Sequence, residues 1–153
     1  MAIATLVKSI QDIMRKDVGV DGDAQRIGQL VWLLFLKILD DKEQEWELTL
    51  DDYQSPLEEE FRWCNWAKDD EGMTGDELIE FVNNDLFPAL KALETAGGSS
   101  LGRAIGSVFA DAYNYMKSGT WIKLNNISIK IHYGYTASAN HDLKDIRYNI
   151  KSV

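Results

Sequence analysis

The sequence predicts an all-α fold: four to five helices in an orthogonal bundle around one buried central helix, followed by an irregular or extended C-terminal tail. The main evidence is an almost unbroken apolar run at residues 30–39, because a helix that is apolar nearly all round is buried on most sides. This run is too short to cross a bilayer, which requires roughly 20 apolar residues. The segments on both sides of it carry apolar residues at the three- and four-residue spacing of amphipathic helices.

The first two helices follow from this spacing. Residues 3–16 predict an amphipathic helix with one apolar stripe, which ends before Gly19 and Gly22. Asp23 is the expected N-cap of the central helix, which should continue to about Trp46. The stripe of the central helix that is expected to face the core consists of Ile27, Leu30, Val31, Leu34 and Ile38.

The middle of the chain predicts shorter elements. One short helix is expected at residues 56–61, because Pro56 suits the first turn of a helix. Residues 74–77 have the form of a capping box and should begin a longer helix. Pro88 lies inside that helix, so the sequence predicts a kink or a break near Phe87.

The last predicted helix runs over about residues 101–117, with Phe109 and Tyr113 facing inwards, and stops at Gly119. From Trp121 onwards, apolar residues partly alternate with polar ones, which predicts a strand or extended chain. The sequence therefore divides into a helical domain, residues 1–119, and a tail, residues 120–153.

The charge balance constrains the partners of the chain. The net charge of −9 argues against nucleic-acid binding by the chain alone, because phosphate contacts need Lys and Arg. Residues 1–116 hold 10 basic and 23 acidic side chains, whereas residues 117–153 hold 6 basic and 2 acidic ones. DNA contact is therefore compatible only with a local basic surface, or with a complex in which a partner supplies most of the positive charge.

Cysteine usage and hydropathy predict the compartment. The sequence shows no secretory signal and no span of membrane length. A single cysteine, Cys64, fits a reducing environment. We therefore expect a cytoplasmic protein that does not bind a membrane.

No catalytic, cofactor-binding or metal-binding residue is predicted. His132 and His141 are the only histidines and lack the spacing of metal ligands, while Cys64 has no visible base. The sequence contains no glycine-rich phosphate loop. Residues 17–22 match a calcium loop only in part, because its twelfth position would be Gly28 instead of glutamate, so a turn is expected there.

Five basic residues are candidates for contact with DNA or a partner protein: Lys8, Arg15, Lys16, Arg26 and Lys117. Lys8 and Arg15 are separated by seven positions, so they share one face of a helix. The alternative is an ordinary solvated surface. The five tryptophans are expected to anchor the core and a loop, with a base-stacking platform as the alternative.

Four blocks of sequence resemble, in the same order, the N-terminal helical domain of the modification subunit of type I restriction–modification systems. The blocks are LVKSIQDIMR at residues 6–15, QLVWLLFLKILDD at residues 29–41, FVNNDLFPAL at residues 81–90 and VFADAYNYMKSG at residues 108–119. The resemblance covers about residues 5–120, and the tail does not match the family pattern. If this domain lacks the last helix that the family has there, we expect part of the core near Phe109 and Tyr113 to be exposed or to be covered by the tail.

This resemblance implies a subunit of an adenine-N6 DNA methyltransferase that uses S-adenosylmethionine. It also implies a complex of two modification subunits and one specificity subunit, joined by a restriction subunit for cleavage, with DNA bound only within the complex. The family's F-x-G-x-G cofactor loop and N-P-P-[FY] catalytic motif do not occur here, where the only prolines are Pro56 and Pro88. We therefore expect an assembly and DNA-clamping module that is non-catalytic and holds no cofactor in this chain.

Two other classes of function remain open. An acidic helical module could bind basic proteins or mimic DNA, as anti-restriction proteins do. A mimic needs carboxylates spaced along one surface like phosphates, whereas the acids of this chain cluster in predicted turns and caps. A stand-alone enzyme is the third hypothesis, and the absence of a paired nucleophile and base disfavours it.

Overall fold

The computed structural model describes residues 3–67 and 71–123, and within those ranges it contains helices and turns but no strand. The all-α prediction is confirmed. The helices are α1 (Ile3–Met14), α2 (Gly22–Thr49), α3 (Trp63–Trp66), α4 (Gly75–Glu80), α5 (Phe87–Ala92) and α6 (Ser100–Phe109). A 3-10 turn covers Glu59–Phe61, a π-helical turn covers Phe81–Leu86, and residues 119–123 are helical. The remainder of the predicted tail, with both histidines, lies outside the described residues.

The long helix α2 is the element around which the others pack, as predicted. Trp32, Leu33, Leu36 and Leu39 are buried on its inner face, and Leu34 is half-buried against the core. The expected stripe is wrong at two positions, because Ile27 and Val31 are 50% and 54% exposed. The helix is rotated from the predicted orientation because three polar residues share its buried face: Gln29, Asp40 and Glu43.

An aromatic chain joins α2 to the last two helices. The ring of Trp32 meets Phe87 of α5 edge-on at 5.1 Å between centroids. Phe87 in turn meets Phe109 of α6 at 5.5 Å, and Phe109 meets Phe35 of α2 at 5.7 Å. Edge-to-face pairs at these distances are a favoured geometry for aromatic rings. The contact returns to α2 and so ties three helices into one core.

The ends of α2 differ from the prediction. Its N-cap is Asp21, not Asp23, and Gly22 has a φ of +77° that a glycine adopts without steric cost. The helix continues to Thr49, three residues beyond the predicted end. Although α2 has 28 residues, no helix in the described ranges is both long and apolar enough to span a membrane.

The short elements after α2 are also partly revised. The helix predicted at residues 56–61 is only one 3-10 turn, and a separate short helix, α3, follows it. The helix predicted from the capping box does begin next to Thr74, but the Thr74 side chain makes no capping hydrogen bond. Near Pro88 the chain neither breaks nor stops. It passes through the π-helical turn and continues as α5, with the proline, which has no N–H to donate, in the first turn of α5.

The largest error concerns the last predicted helix. Helix α6 ends at Phe109, and residues 112–118 are not helical. The prediction of a strand or extended chain at Trp121 is also wrong, because residues 119–123 are helical. Propensity alone cannot locate these boundaries, since distant side chains supply the hydrogen bonds of the non-helical segment. Tyr113, expected to face inwards, is 59% exposed.

The packing of α6 depends on Gly106. A Cβ atom at this position would lie 2.1 Å from the backbone N and 2.6 Å from the Cα of Glu94. We predict that Gly106→Ala lowers the free energy of unfolding by about 2 kcal/mol, because the backbone has to shift. Urea denaturation measures the change.

Gly28 is the matched control, because it is also helical but a Cβ atom added to it would meet no neighbouring side chain within 4 Å. Gly28→Ala should raise the free energy of unfolding by roughly 0.5–1 kcal/mol, since alanine is the better helix former. Equal effects of the two substitutions would show that α6 does not pack against the backbone at Glu94.

Candidate functional site

Three non-contiguous segments meet at one end of the bundle: the loop after α1, the start of α2, and residues 112–118, which we call the strap. The loop and the strap touch through their backbones, because a Cβ on Gly19 would lie 2.0 Å from the carbonyl oxygen of Tyr115. This end also holds most of the basic residues that the sequence singles out. It is therefore the part of the described structure in which a contact site can be assembled.

The carboxylate of Asp17 holds the strap to the loop. It is buried and accepts hydrogen bonds from the backbone N–H groups of Gly19 at 2.8 Å, Lys117 at 3.0 Å and Ser118 at 3.2 Å. These bonds engage both carboxylate oxygens, which fits the predicted turn and not a calcium loop. Among residues 3–67 and 71–123, no three His, Cys, Asp or Glu side chains are placed to hold a metal ion.

Gln29 of α2 holds the middle of the strap. Its side chain is 1% exposed. Its Nε2 donates to the carbonyl oxygen of Tyr113 at 2.8 Å, and its Oε1 accepts from the Tyr115 N–H at 3.1 Å. The same oxygen accepts from Trp32 Nε1 at 3.0 Å. One amide therefore links the strap to the aromatic core.

Asn114 fixes the strap from within. Its Oδ1 accepts from the Met116 N–H at 3.1 Å, and its Nδ2 donates to Asn83 Oδ1 at 2.9 Å. Asn83 belongs to the π-helical turn, so the strap is connected to that irregular turn as well. Side chains along the strap alternate, because Asn114 and Met116 are buried whereas Tyr113 and Tyr115 are exposed.

A groove of about 470 Å³ lies between the first half of α2 and the strap. Ala24, Gly28 and Val31 form its α2 wall, and Val108, Tyr113 and Tyr115 form the other wall. The sequence pattern does not predict this groove, because the apolar spacing places Val31 in the core. The available signal was the excess of apolar positions on α2, since one helix face cannot bury them all.

Two of the predicted contact residues are paired with nearby carboxylates. Arg26 pairs with Asp23, and this hydrogen bond, together with the charges of Arg26 and Arg15, lowers the pKa of Asp23. Arg15 itself pairs with Asp12 at 2.7 Å. Both arginines thus already have acidic partners, which weakens their attraction for phosphate groups.

The other three predicted contact residues are less tightly grouped. Lys16 Nζ lies 5.8 Å from the ring centroid of Trp121, and the exposed Lys117 lies in the strap, directly after the buried Met116. The structure therefore brings Arg15, Lys16, Arg26 and Lys117 to one end of the molecule. Lys8 is exposed on α1, about 10 Å along the helix from Arg15 at a rise of roughly 1.5 Å per residue.

A second polar cluster lies near the C-terminal end of α2. Glu43 is 0% exposed and accepts hydrogen bonds from Tyr53 at 2.8 Å and from Ser55. Arg62 faces it at 3.8 Å and binds Glu47 through two hydrogen bonds of 2.7 and 3.2 Å. The hydrogen bond to Glu47 raises the pKa of Arg62, while burial and the bond to Glu43 raise that of Tyr53.

A third polar cluster consists of Asp40, Gln44 and Cys64. Asp40 is buried and accepts from the Cys64 N–H at 3.3 Å and from Gln44 at 2.8 Å. Burial, followed by the hydrogen bond to Asp40, raises the pKa of the Cys64 thiol to about 11. The thiol is therefore protonated at neutral pH, and only the thiolate is a good nucleophile.

Three of the five tryptophans are anchored in the core as predicted, and Trp46 and Trp121 are half-buried. Trp32, Trp63 and Trp66 are buried, and none of these three presents its ring to solvent. Lys37 Nζ lies 5.1 Å from the ring centroid of Trp63, within the range of a cation–π contact. A base-stacking platform built on these rings is incompatible with their burial.

Comparison with known proteins agrees with this architecture. The family model described as the HsdM N-terminal domain matches residues 3–130. The type I restriction enzyme EcoEI methylase subunit of Escherichia coli is 56% identical over 133 residues. The match covers 83% of this chain but 27% of that protein, so the chain spans about a quarter of the relative's length.

Two solved structures share the fold. One is a modification subunit assigned to a type I restriction enzyme from Vibrio vulnificus YJ016, with a TM-score of 0.76, 38% identity, and coverage of 82% of this chain and 29% of that chain. The other comes from work on complex assembly and conformational transition of the type I R-M system, with a TM-score of 0.70, 32% identity, and coverage of 83% and 25%. The chain therefore belongs to the family of HsdM N-terminal domains, the N-terminal domains of type I restriction–modification modification subunits.

Proposed function

We propose that this chain is the N-terminal assembly and DNA-clamping module of an adenine-N6-specific type I DNA methyltransferase, and that it is non-catalytic in itself. Its partners are a specificity subunit, a second modification subunit and, in the full complex, a restriction subunit. It contacts DNA only within that complex, in the bacterial cytoplasm. S-adenosylmethionine is used by the full-length subunit. Membership of the HsdM N-terminal domain family supports this assignment.

The observation that carries the non-catalytic part is the use of the buried ionisable groups. Asp17 binds backbone N–H groups, Asp40 binds the start of α3, and Glu43 binds Tyr53 and Ser55. Each carboxylate holds a segment of the chain in place. A catalytic acid or base has to face a substrate, and these groups face their own backbone and side chains.

The charge distribution supports contact with DNA only inside a complex. The end of the molecule that carries the strap, which we call the strap end, holds four basic residues: Arg15, Lys16, Arg26 and Lys117. Asp12, Asp21 and Asp23 lie among them. Since phosphate binding requires an excess of positive charge, this end alone should bind DNA weakly. A partner subunit that covers the acidic residues or adds basic ones would make the contact effective.

A second candidate function rests on the opposite end of the molecule. Exposed acids gather around the end of α2 and the following turns, namely Glu45, Glu47, Asp51, Asp52, Glu58, Glu59 and Glu60. An acidic protein-binding or DNA-mimic module would use such a surface. Ion pairs with Arg62 already engage Glu47 and Glu59, which makes the cluster partly structural.

Alkylation of Cys64, the only cysteine, tests whether this residue is a nucleophile. We predict that the native chain reacts with iodoacetamide at pH 8 about 100-fold more slowly than the urea-unfolded chain, because its thiolate fraction is smaller. The native rate should rise about tenfold per pH unit from 8 to 10, whereas the unfolded rate levels off above pH 9. Equal rates at pH 8 would identify a reactive thiol.

Binding assays distinguish the two candidate functions. The purified chain should be retained by an immobilised type I specificity subunit, should shift duplex DNA only when that subunit is present, and should transfer no methyl group from S-adenosylmethionine to DNA alone. If the chain instead binds the restriction complex in competition with DNA and gives no joint shift, the result would support the DNA-mimic function. Methyl transfer by the chain alone would contradict the non-catalytic proposal.

A pair of lysine variants locates the contact. Lys117→Met removes a charge at the strap end but keeps the aliphatic stem, so it should weaken the joint DNA shift and reduce its salt dependence. Lys42→Met makes the same change near the other end of α2, where Lys42 pairs with Glu45, and should leave the shift unchanged. The reverse order of effects would place the DNA contact elsewhere.

A further inference from the structure

The strap differs from the helices around it in how its backbone is held. The N–H groups of Tyr115, Met116, Lys117 and Ser118 all donate to side-chain oxygens. We propose that residues 112–118 form a releasable strap, which opens as a unit while α2 and α6 remain folded and uncovers one wall of the groove.

The pattern of bonds defines where the strap would open. On its N-terminal side, the Ala112 N–H still donates to Phe109 at the end of α6, and on its C-terminal side the Trp121 N–H donates to Ser118. Between these two points, the strap is bonded to Gln29 of α2, to Asp17 of the loop, to Asn83 of the π-helical turn and within itself. Breaking them interrupts no helical hydrogen bond.

The apolar contacts of the strap are also few. Met116 is fully buried, whereas Tyr113 and Tyr115 are 59% and 39% exposed. Release therefore exposes mainly one large apolar side chain, in contrast to unfolding of α2, which exposes Trp32, Leu33 and Leu36 together. Segments with few buried apolar contacts open at a lower free energy than the core.

Opening would couple two parts of the molecule. Tyr113 and Tyr115 form part of the groove wall, and Gln29 binds the backbone of both residues. A molecule that pushes these tyrosines aside would also withdraw the chain from Asp17. Opening of the strap is a property of the isolated chain and does not depend on the proposed function.

Native-state hydrogen exchange of the whole chain in increasing urea tests the strap directly. The Tyr115, Lys117 and Ser118 amides should open at least tenfold more often than those of Leu33 and Leu36. Their exchange should also depend little on urea, because local opening exposes little surface. Identical opening frequencies and identical urea dependence in the strap and α2 would overturn the proposal.

A matched pair of variants tests whether the Gln29 side chain holds the strap. Gln29→Leu should accelerate strap exchange about tenfold beyond any change in the α6 amides, because it removes the bonds to both tyrosine backbones. Gln44→Leu, at an exposed position of the same helix whose side chain donates to Asp40 near α3, should leave strap exchange unchanged relative to α6. Equal acceleration of strap and α6 amides in Gln29→Leu would show a loss of global stability only and would contradict the strap. If Gln29→Leu does not fold, the urea series on the unmodified chain decides.

Discussion

The structure depends on polar side chains that α2 places on its buried face. Gln29 holds the strap, Asp40 holds the start of α3, and Glu43 holds the turn that contains Tyr53 and Ser55. Burial of a polar group is unfavourable unless it is hydrogen-bonded, so each of these residues favours a chain path that brings hydrogen-bond partners to it. The helix thus positions the irregular segments as well as the other helices.

This arrangement bears on function through the location of the charges. The buried carboxylates serve the fold, and the basic residues at the strap end already have acidic neighbours such as Asp12 and Asp23. What remains accessible is a groove with apolar walls at the strap end and an acidic surface at the other end of α2. Both are features of a domain that contacts other proteins, which agrees with the proposed place of the chain in a larger assembly.

The sequence predicts what depends on local pattern. The helical class, the central position of α2, the start of the helix after Thr74 and the burial of Trp32, Trp63 and Trp66 all follow from spacing and composition. It does not predict the strap, because the bonds that tie it to Gln29 and Asp17 join residues 84 to 101 positions apart. The sequence also does not predict the exposure of Ile27 and Val31, because hydrophobicity alone cannot show that Gln29 and Glu43 share the buried face.

One substitution pair tests most directly whether buried polar groups on α2 organise the fold. Glu43→Leu leaves Tyr53 and Ser55 without their acceptor and Arg62 without a facing charge, so the free energy of unfolding in urea should fall by about 3 kcal/mol. Glu45→Leu makes the same change two residues along, at an exposed position paired with Lys42, and should cost less than about 1 kcal/mol. Equal losses, or a stable Glu43→Leu protein, would contradict this account.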